Sequence, residues 1–463
     1  MDMLMHWIGV ISDWLWGPPL IILLVFGGLY LTVKLGFFQF KYVSYIFSQT
    51  FGKMFKKHEG GEGTVSPFQA LTAAIACTVG AGNIVGVPAA IMFGGPGAIF
   101  WMWVIALVGM GAKFTEVVLA VKYREKNEEG EFVGGPQYYI NKGLNKRWLA
   151  VWFALGLMIE VIPSIMVQAN SVAASAAATF NINPSVSGIL ALVVVGLIVI
   201  GGIKRIGKFT EKYVPLMAFL YIGTAFLVIM LNFRQIPSVI GLIFTHAFRP
   251  MAPVGGFAGA VIASTIRWGF ARGVYSNESG LGTAPIAHAS AITDHPVRQG
   301  LWSVAEVFVD TIVICSATAF AVLVSGVWTS PGAMDNASGL TAIAFSNALG
   351  NVGGMIVTIS LLLFVISTIV VLIYYGEKQA EFLLGLKFSR FMKYIYVASI
   401  FIGAIGGAKI IWQFLDITLA AIVIPNMIAI LLLSSEVIEL KNEFFTSTKY
   451  YLKDIGKSAE RSS

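Results

Sequence analysis

The chain reads as an all-α integral membrane protein of about eleven transmembrane helices, and three observations carry that reading. Its 463 residues are 57% hydrophobic and only 12% charged, whereas soluble domains carry about 25% charged residues. Its mean hydropathy is +0.80. Apolar runs of about 20 residues, the length a helix needs to cross a hydrocarbon core of about 30 Å, recur from one end to the other. Lipid offers the backbone no hydrogen-bond partner, so a spanning segment is a helix or part of a closed barrel. These runs are continuous rather than alternating, which selects helices.

Taken in order, the runs and their breaks place spans near 15–34, 67–93, 97–121, 148–179, 186–203, 213–232, 256–290, 298–326, 340–376, 392–409 and 412–434. The first is read as a retained span, because no basic residue precedes it and Lys34, Lys41, Lys53, Lys56 and Lys57 follow. Segment 36–55 mixes Phe37, Phe38, Phe40, Tyr42, Tyr45 and Phe51 with lysines and is expected to lie in the interface as an amphipathic helix. With the N-terminus outside and residues at the ends of spans counted with the adjoining loops, 25 of the 31 Lys and Arg fall on the inner side, three (Arg234, Arg249, Lys409) outside and three (Lys113, Arg267, Arg272) within spans. That positive-inside bias supports an odd number of spans and puts the 435–463 tail in the cytoplasm. It also accounts for the net charge of +7 without a nucleic-acid partner. The loops are too short to bury a core of their own, so the chain is expected to be one domain of the cell membrane.

Cys77 and Cys315 lie in apolar segments and offer no disulfide framework. His6, His58, His246, His288 and His295 are scattered without metal-ligand spacing. Ionisable groups within spans are costly and mark functional positions or ion pairs; they are Lys113, Glu116, Glu160, Arg267, Arg272, Glu278, Glu306, Asp310 and Asp416. None makes a set of nucleophile, base and orienting group, so no enzyme and no catalytic residue is expected. A channel would show a repeated filter loop, a sensor a soluble output domain, and a primary pump a phosphate-binding glycine loop; the sequence has none of these.

Two spans hold more glycine and polar residues than a lipid-facing helix tolerates: Cys77-Thr78-Val79-Gly80-Ala81-Gly82-Asn83, and the run from Trp268 to Gly282. With the first span set aside, they are the first and sixth of ten. Interrupted helices in matching positions of two halves point to a transporter's midplane site. The alternative is close packing of small residues. A broken helix presents free N–H groups to a carboxylate and free carbonyls to an amine. Gly80 and Gly82 have no side chain to obstruct that approach, and Thr78 and Asn83 bring oxygen ligands to the same turn. Carbonyls freed by unwinding, with hydroxyls from a facing helix, suit a sodium ion; Ser367 and Thr368, inside an apolar run, are the candidate hydroxyls.

The stretch Gly94-Gly95-Pro96-Gly97-Ala98-Ile99-Phe100-Trp101-Met102-Trp103, continuing to Lys113-Phe114-Thr115-Glu116, resembles the signature of the alanine or glycine:cation symporter family. So do 78–88, Gly134-Gly135-Pro136-Gln137-Tyr138-Tyr139 and 269–285, and the likeness runs through nearly the whole chain. It implies a secondary transporter that takes up alanine and glycine with sodium, or less often with protons, by alternating access. It also implies the inverted-repeat fold of the amino acid-polyamine-cation superfamily: one extra N-terminal helix at 15–34, then five helices in 67–232 and five in 256–434, working as a monomer. The wider likeness to neurotransmitter:sodium symporters implies that the Gly80 and Gly82 amides meet the substrate carboxylate; the tyrosine those relatives place on the third core helix has no match here, where Gln168 and Asn170 stand instead and Gln168 is taken as a polar wall. The expected substrate set is completed by Thr78, Ala81, Asn83, Gly273 and Ser276, with Trp268 and Phe270 as an aromatic wall that limits side-chain size. The sodium set is Ala76 and Val79 by their carbonyls with Ser367 and Thr368. Asn83 matches an asparagine that serves a second, substrate-linked sodium in those relatives.

Overall fold

A computed structural model describes residues 14–54, 60–334, 336–406 and 408–460. His6, Lys56, Lys57, His58 and Arg461 lie outside the described residues. The principal helices are α1 (Pro18–Lys34), α2 (Pro67–Thr78), α3 (Val87–Gly94), α4 (Ala98–Lys122), α5 (Arg147–Phe180), α6 (Pro184–Val199), α7 (Gly202–Leu231), α8 (Ile262–Asn277), α9 (Pro296–Val307), α10 (Ser316–Val324), α11 (Asn351–Leu384), α12 (Leu386–Ile405), α13 (Ala408–Leu432), α14 (Ser434–Thr446) and α15 (Tyr451–Glu460). Among the described residues, seven helical segments are long and apolar enough to cross a membrane, and an eighth arises if α2 and the bent piece after it form one span.

Polarity is distributed as lipid requires. Leu190, Leu197, Phe219 and Phe226 on α6 and α7 are more than half exposed, while Lys113, Glu116, Glu306 and Asp310 are fully buried. α5 packs against α11, α12 and α13, α4 against α8 and α9, and α2 against α7 and α11. The segment after α1 forms short helices, Phe38–Lys41 and Val43–Gln49, and Tyr42 stacks on Phe445 of α14 at 3.9 Å.

The interruptions have local causes. α2 starts in a capping box: Gln69 N–H donates to Ser66 Oγ and Ser66 N–H to Gln69 Oε1, both 3.1 Å, with Pro67 at the first turn. It stops where Val79 turns extended (φ −85°, ψ 98°). The chain resumes as a π-helical turn, Gly82–Gly86, and α3, bent by 45° from α2. The expected span 256–290 is likewise not one helix. α8 ends at Asn277 because Glu278 takes the left-handed conformation (φ 53°), Gly280 and Gly282 follow at φ +90° and +81°, and a short helix resumes at Ala284–His288. The expected span 340–376 is split for the same reason: Gly350, at φ +66°, separates Leu340–Leu349 from α11. Between α9 and α10 the chain forms a second π-helical stretch, Phe308–Cys315.

Candidate functional site

The two breaks lie side by side. Asn83, in the π-turn after the first, accepts from Gly80 N–H through Oδ1 (3.0 Å) and donates from Nδ2 to Ser276 Oγ (3.0 Å) in the last turn of α8 and to Asp310 Oδ1 (2.7 Å) in the second π-helical stretch. Ser276 and Thr311 both donate to Asp310 Oδ2 at 2.8 Å. Three irregular elements are thus tied by one amide and one carboxylate, all buried. π-Turns free backbone and side-chain groups from the regular ladder and are frequent at functional sites.

The C-terminal end of α8 is held from behind. Lys113 Nζ donates to the Asn277 carbonyl (2.5 Å), at the dipole's negative end, and pairs with Glu306 at 2.6 Å. Glu306 also faces His288 Nε2 (3.1 Å), whose Nδ1 meets Gln299 at 2.7 Å. Asn426 on α13 donates to the freed Gly280 carbonyl (2.9 Å) and to Glu116 (2.5 Å).

Between the breaks, α5 and α11 lies a cavity. The first break contributes Thr78, Gly80 and Gly82 with Cys77; α5 contributes Glu160, Ser164 and Gln168; α11 contributes Thr368 and Leu372; the second break contributes Tyr275, Glu278, Leu281 and Thr283; α13 contributes Leu419. Among the described residues no basic side chain lines it. The glycines matter here for lack of bulk. A Cβ on Gly80 would stand 3.0 Å from Thr368 Oγ1 and 3.4 Å from Gln168 Nε2, and one on Gly82 3.2 Å from the Tyr275 ring. Thr368 Oγ1 lies within hydrogen-bond distance of the Ala76 carbonyl across the gap (2.8 Å) and of Phe364 O on its own helix (2.9 Å), and its single O–H is shared between them. Ser367 turns elsewhere, to Phe364 O (2.7 Å) and Met217 Sδ on α7 (3.8 Å). Among the described residues no group of three or more His, Cys, Asp or Glu converges as for a metal ion; a sodium ion needs only oxygen donors of the kind Thr368 and the Ala76 carbonyl offer.

The structure therefore gathers Thr78, Gly80, Gly82, Gln168 and Thr368 around one space, with the Ala76 carbonyl on Thr368, and sets Asn83 and Ser276 next to it in the Asp310 network. Ala81 and Val79 are buried within the break. Three members of the expected substrate set lie elsewhere. Trp268 stacks on Phe93 at 4.8 Å, and Phe270 meets Trp101 edge-on at 5.4 Å. Gly273 faces α4, where a Cβ would fall 2.4 Å from Ile105 Cγ2. The reason is helical phase: Trp268, Arg272 and Tyr275 share a face that looks into a separate cavity with Trp16, Arg267 and Asp416. Of these residues only Tyr275 also reaches the inner cavity, whose apolar wall is Tyr275, Leu281, Leu372 and Leu419. The Gly80 N–H, expected to be free, donates to Asn83 Oδ1 in this structure. Glu160 and Ser164 could have been added from the sequence, because with Gln168 they repeat at i, i+4 and i+8.

A model of the sodium:alanine symporter family matches residues 1–457. The chain belongs to that family. As a sodium:alanine symporter family member it is a transporter rather than an enzyme, and a multi-pass membrane protein. It is 59% identical over 461 residues to the uncharacterized transporter YflA of Bacillus subtilis, covering 100% of this chain and 98% of the relative. It is 42% identical over 443 residues to the sodium/alanine symporter AgcS of Methanococcus maripaludis (94% and 96% covered), and 39% over 456 to the probable sodium/glutamine symporter GlnT of Bacillus subtilis (97% and 91% covered). A crystal structure of an Eremococcus coleocola manganese transporter mutant shares the fold, with TM-score 0.53, 13% identity, and 85% of this chain and 90% of that one covered.

Proposed function

We propose that the protein carries alanine and glycine into the cell together with sodium, by alternating access. The observation that carries the reading is the Thr368 hydroxyl bonded across the first break to the Ala76 carbonyl, 2.8 Å away, beside a cavity floored by Gly80 and Gly82. It supplies neutral oxygens for sodium next to a backbone break that can receive a zwitterion. Gly82, and Gly80 once Asn83 releases it, offer N–H groups to the substrate carboxylate, with Thr78 and Gln168 as polar neighbours. Leu281, Leu372 and Leu419 leave room for a hydrogen or methyl side chain and exclude a branched one. The chain is read as working alone, with its N-terminus outside, C-terminus in the cytoplasm, and repeats in 67–232 and 256–434 rocking about the breaks.

Uptake of labelled alanine into proteoliposomes under an imposed sodium or proton gradient tests the reading. Accumulation should follow the sodium gradient, glycine should compete, and leucine and glutamine should not. Accumulation driven by protons with no response to sodium would overturn the sodium assignment, and competition by glutamine at alanine's concentration would overturn the size limit.

A further inference from the structure

The cavity carries two carboxylates, Glu160 and Glu278, and they are not equivalent. Glu278 has a donor for each oxygen, Thr283 Oγ1 at 2.5 Å and Cys77 Sγ at 3.4 Å. Glu160 is only 2% exposed; its Oε1 accepts from Ser164, and its Oε2 has no partner. A buried carboxylate oxygen without a donor is costly unless a cation or a proton meets it. Glu160, Ser164 and Gln168 form one stripe on α5 at intervals of four residues. Gln168 stands beside Gly80, and Glu160 lies about 12 Å further along the helix. An alanine seated at Gly80 is too short to span those two turns, so the unpartnered oxygen serves something other than the seated substrate.

We propose that Glu160, with Ser164 beside it and Glu278 lining the same cavity, forms a second cation subsite that takes a sodium ion at the end of the cavity remote from Gln168. The inference rests on the reading of sodium-coupled transport and extends it. The lining holds two carboxylates and, among the described residues, no basic side chain, so a sodium ion leaving Thr368 finds carboxylate oxygens within the same cavity. Hard cations favour oxygen donors of this kind.

Equilibrium binding of radiolabelled sodium to the purified full chain, without amino acid, is the test. The parent should show two components, of which Thr368→Ala loses one. Glu160→Gln should weaken the other at least about tenfold, near 1.4 kcal/mol, and keep the Thr368 component. A parent with a single component, a Glu160→Gln isotherm matching the parent, or loss of both components together overturns the proposal. Should Glu160→Gln not be recovered folded, Glu160→Asp, which withdraws the carboxylate by one methylene, replaces it. A second component weakened at least about threefold is then expected, and an unchanged one overturns the proposal. Failure of the transport reading registers separately, as parent uptake of alanine that ignores a sodium gradient.

Discussion

Asn83 and Asp310, 227 residues apart, meet at 2.7 Å, and through that contact the first broken helix is fastened to the π-helical stretch between α9 and α10. The same amide caps Gly80 N–H through its oxygen. Asn83→Ala should free Gly80 N–H but unfasten the break and leave the Asp310 carboxylate short of a donor, and loss of that fastening should lower alanine affinity at least about tenfold, near 1.4 kcal/mol. Calorimetric titration of alanine at saturating sodium checks this; affinity unchanged in a folded variant would show that the tie does not shape the site.

Ser367 and Thr368 are neighbours in sequence but not in role. Thr368 reaches Ala76 across the gap, whereas Ser367 bonds its own helix and touches Met217. Thr368→Ala should raise the sodium concentration for half-maximal alanine binding about tenfold or more. Ser367→Ala should raise it far less, and an equal effect of the two would contradict the geometry.

At Gly80 and Gly82 an added Cβ meets Thr368, Gln168 or Tyr275 at 3.0 to 3.4 Å, within the cavity wall. Gly80→Ala and Gly82→Ala should therefore lose alanine binding while remaining monodisperse in detergent. Folded variants that bind alanine within about twofold of the parent, a difference near 0.4 kcal/mol, would return these glycines to helix packing.

Lys113 neutralises Glu306 in a fully buried pair and holds the Asn277 carbonyl. Removing one partner of such a pair costs about 3–5 kcal/mol. Lys113→Met should accordingly lower the melting temperature sharply in detergent, and a variant as stable as the parent would mean that His288 alone suffices for Glu306.

Near the C-terminal end of the described chain, Asp454 of α15 accepts from Arg298 (2.8 Å) and Tyr45 (2.7 Å). Burial alone would raise its pKa, but hydrogen bonds from Arg298 and Tyr45 and the positive charges of Arg298 and Lys53 hold it below the ordinary carboxylate value. A depressed folded pKa means that the docking contribution is complete above the undocked pKa, about 3.9, and fades as pH falls through the lower folded value. Near neutral pH the tail should be docked, and Asp454→Asn should speed proteolysis within 451–460. Equal cleavage rates in the two proteins would show that the aromatic contacts of α14 hold the tail without this carboxylate.

Much of this molecule is legible in its sequence. The length and continuity of the apolar runs demanded membrane helices, because lipid leaves the backbone no other way to satisfy its hydrogen bonds. The glycine-rich runs at 77–83 and 268–282 announced both interruptions, since local chain conformation depends on residues close in sequence. What tertiary structure alone decided was direction and partnership. Trp268, Phe270 and Gly273 sit in the right segment, yet the phase of α8 turns them to Phe93, Trp101 and α4, and gives the cavity wall to Tyr275. Ser367 and Thr368 differ by one position, and only the packing of α11 against α2 makes one of them a neighbour of Ala76. The encounters of Asn83 with Asp310, Lys113 with Asn277 and Glu160 with the cavity join segments distant in the chain, and such contacts are set by how helices pack, which no local pattern of residues encodes.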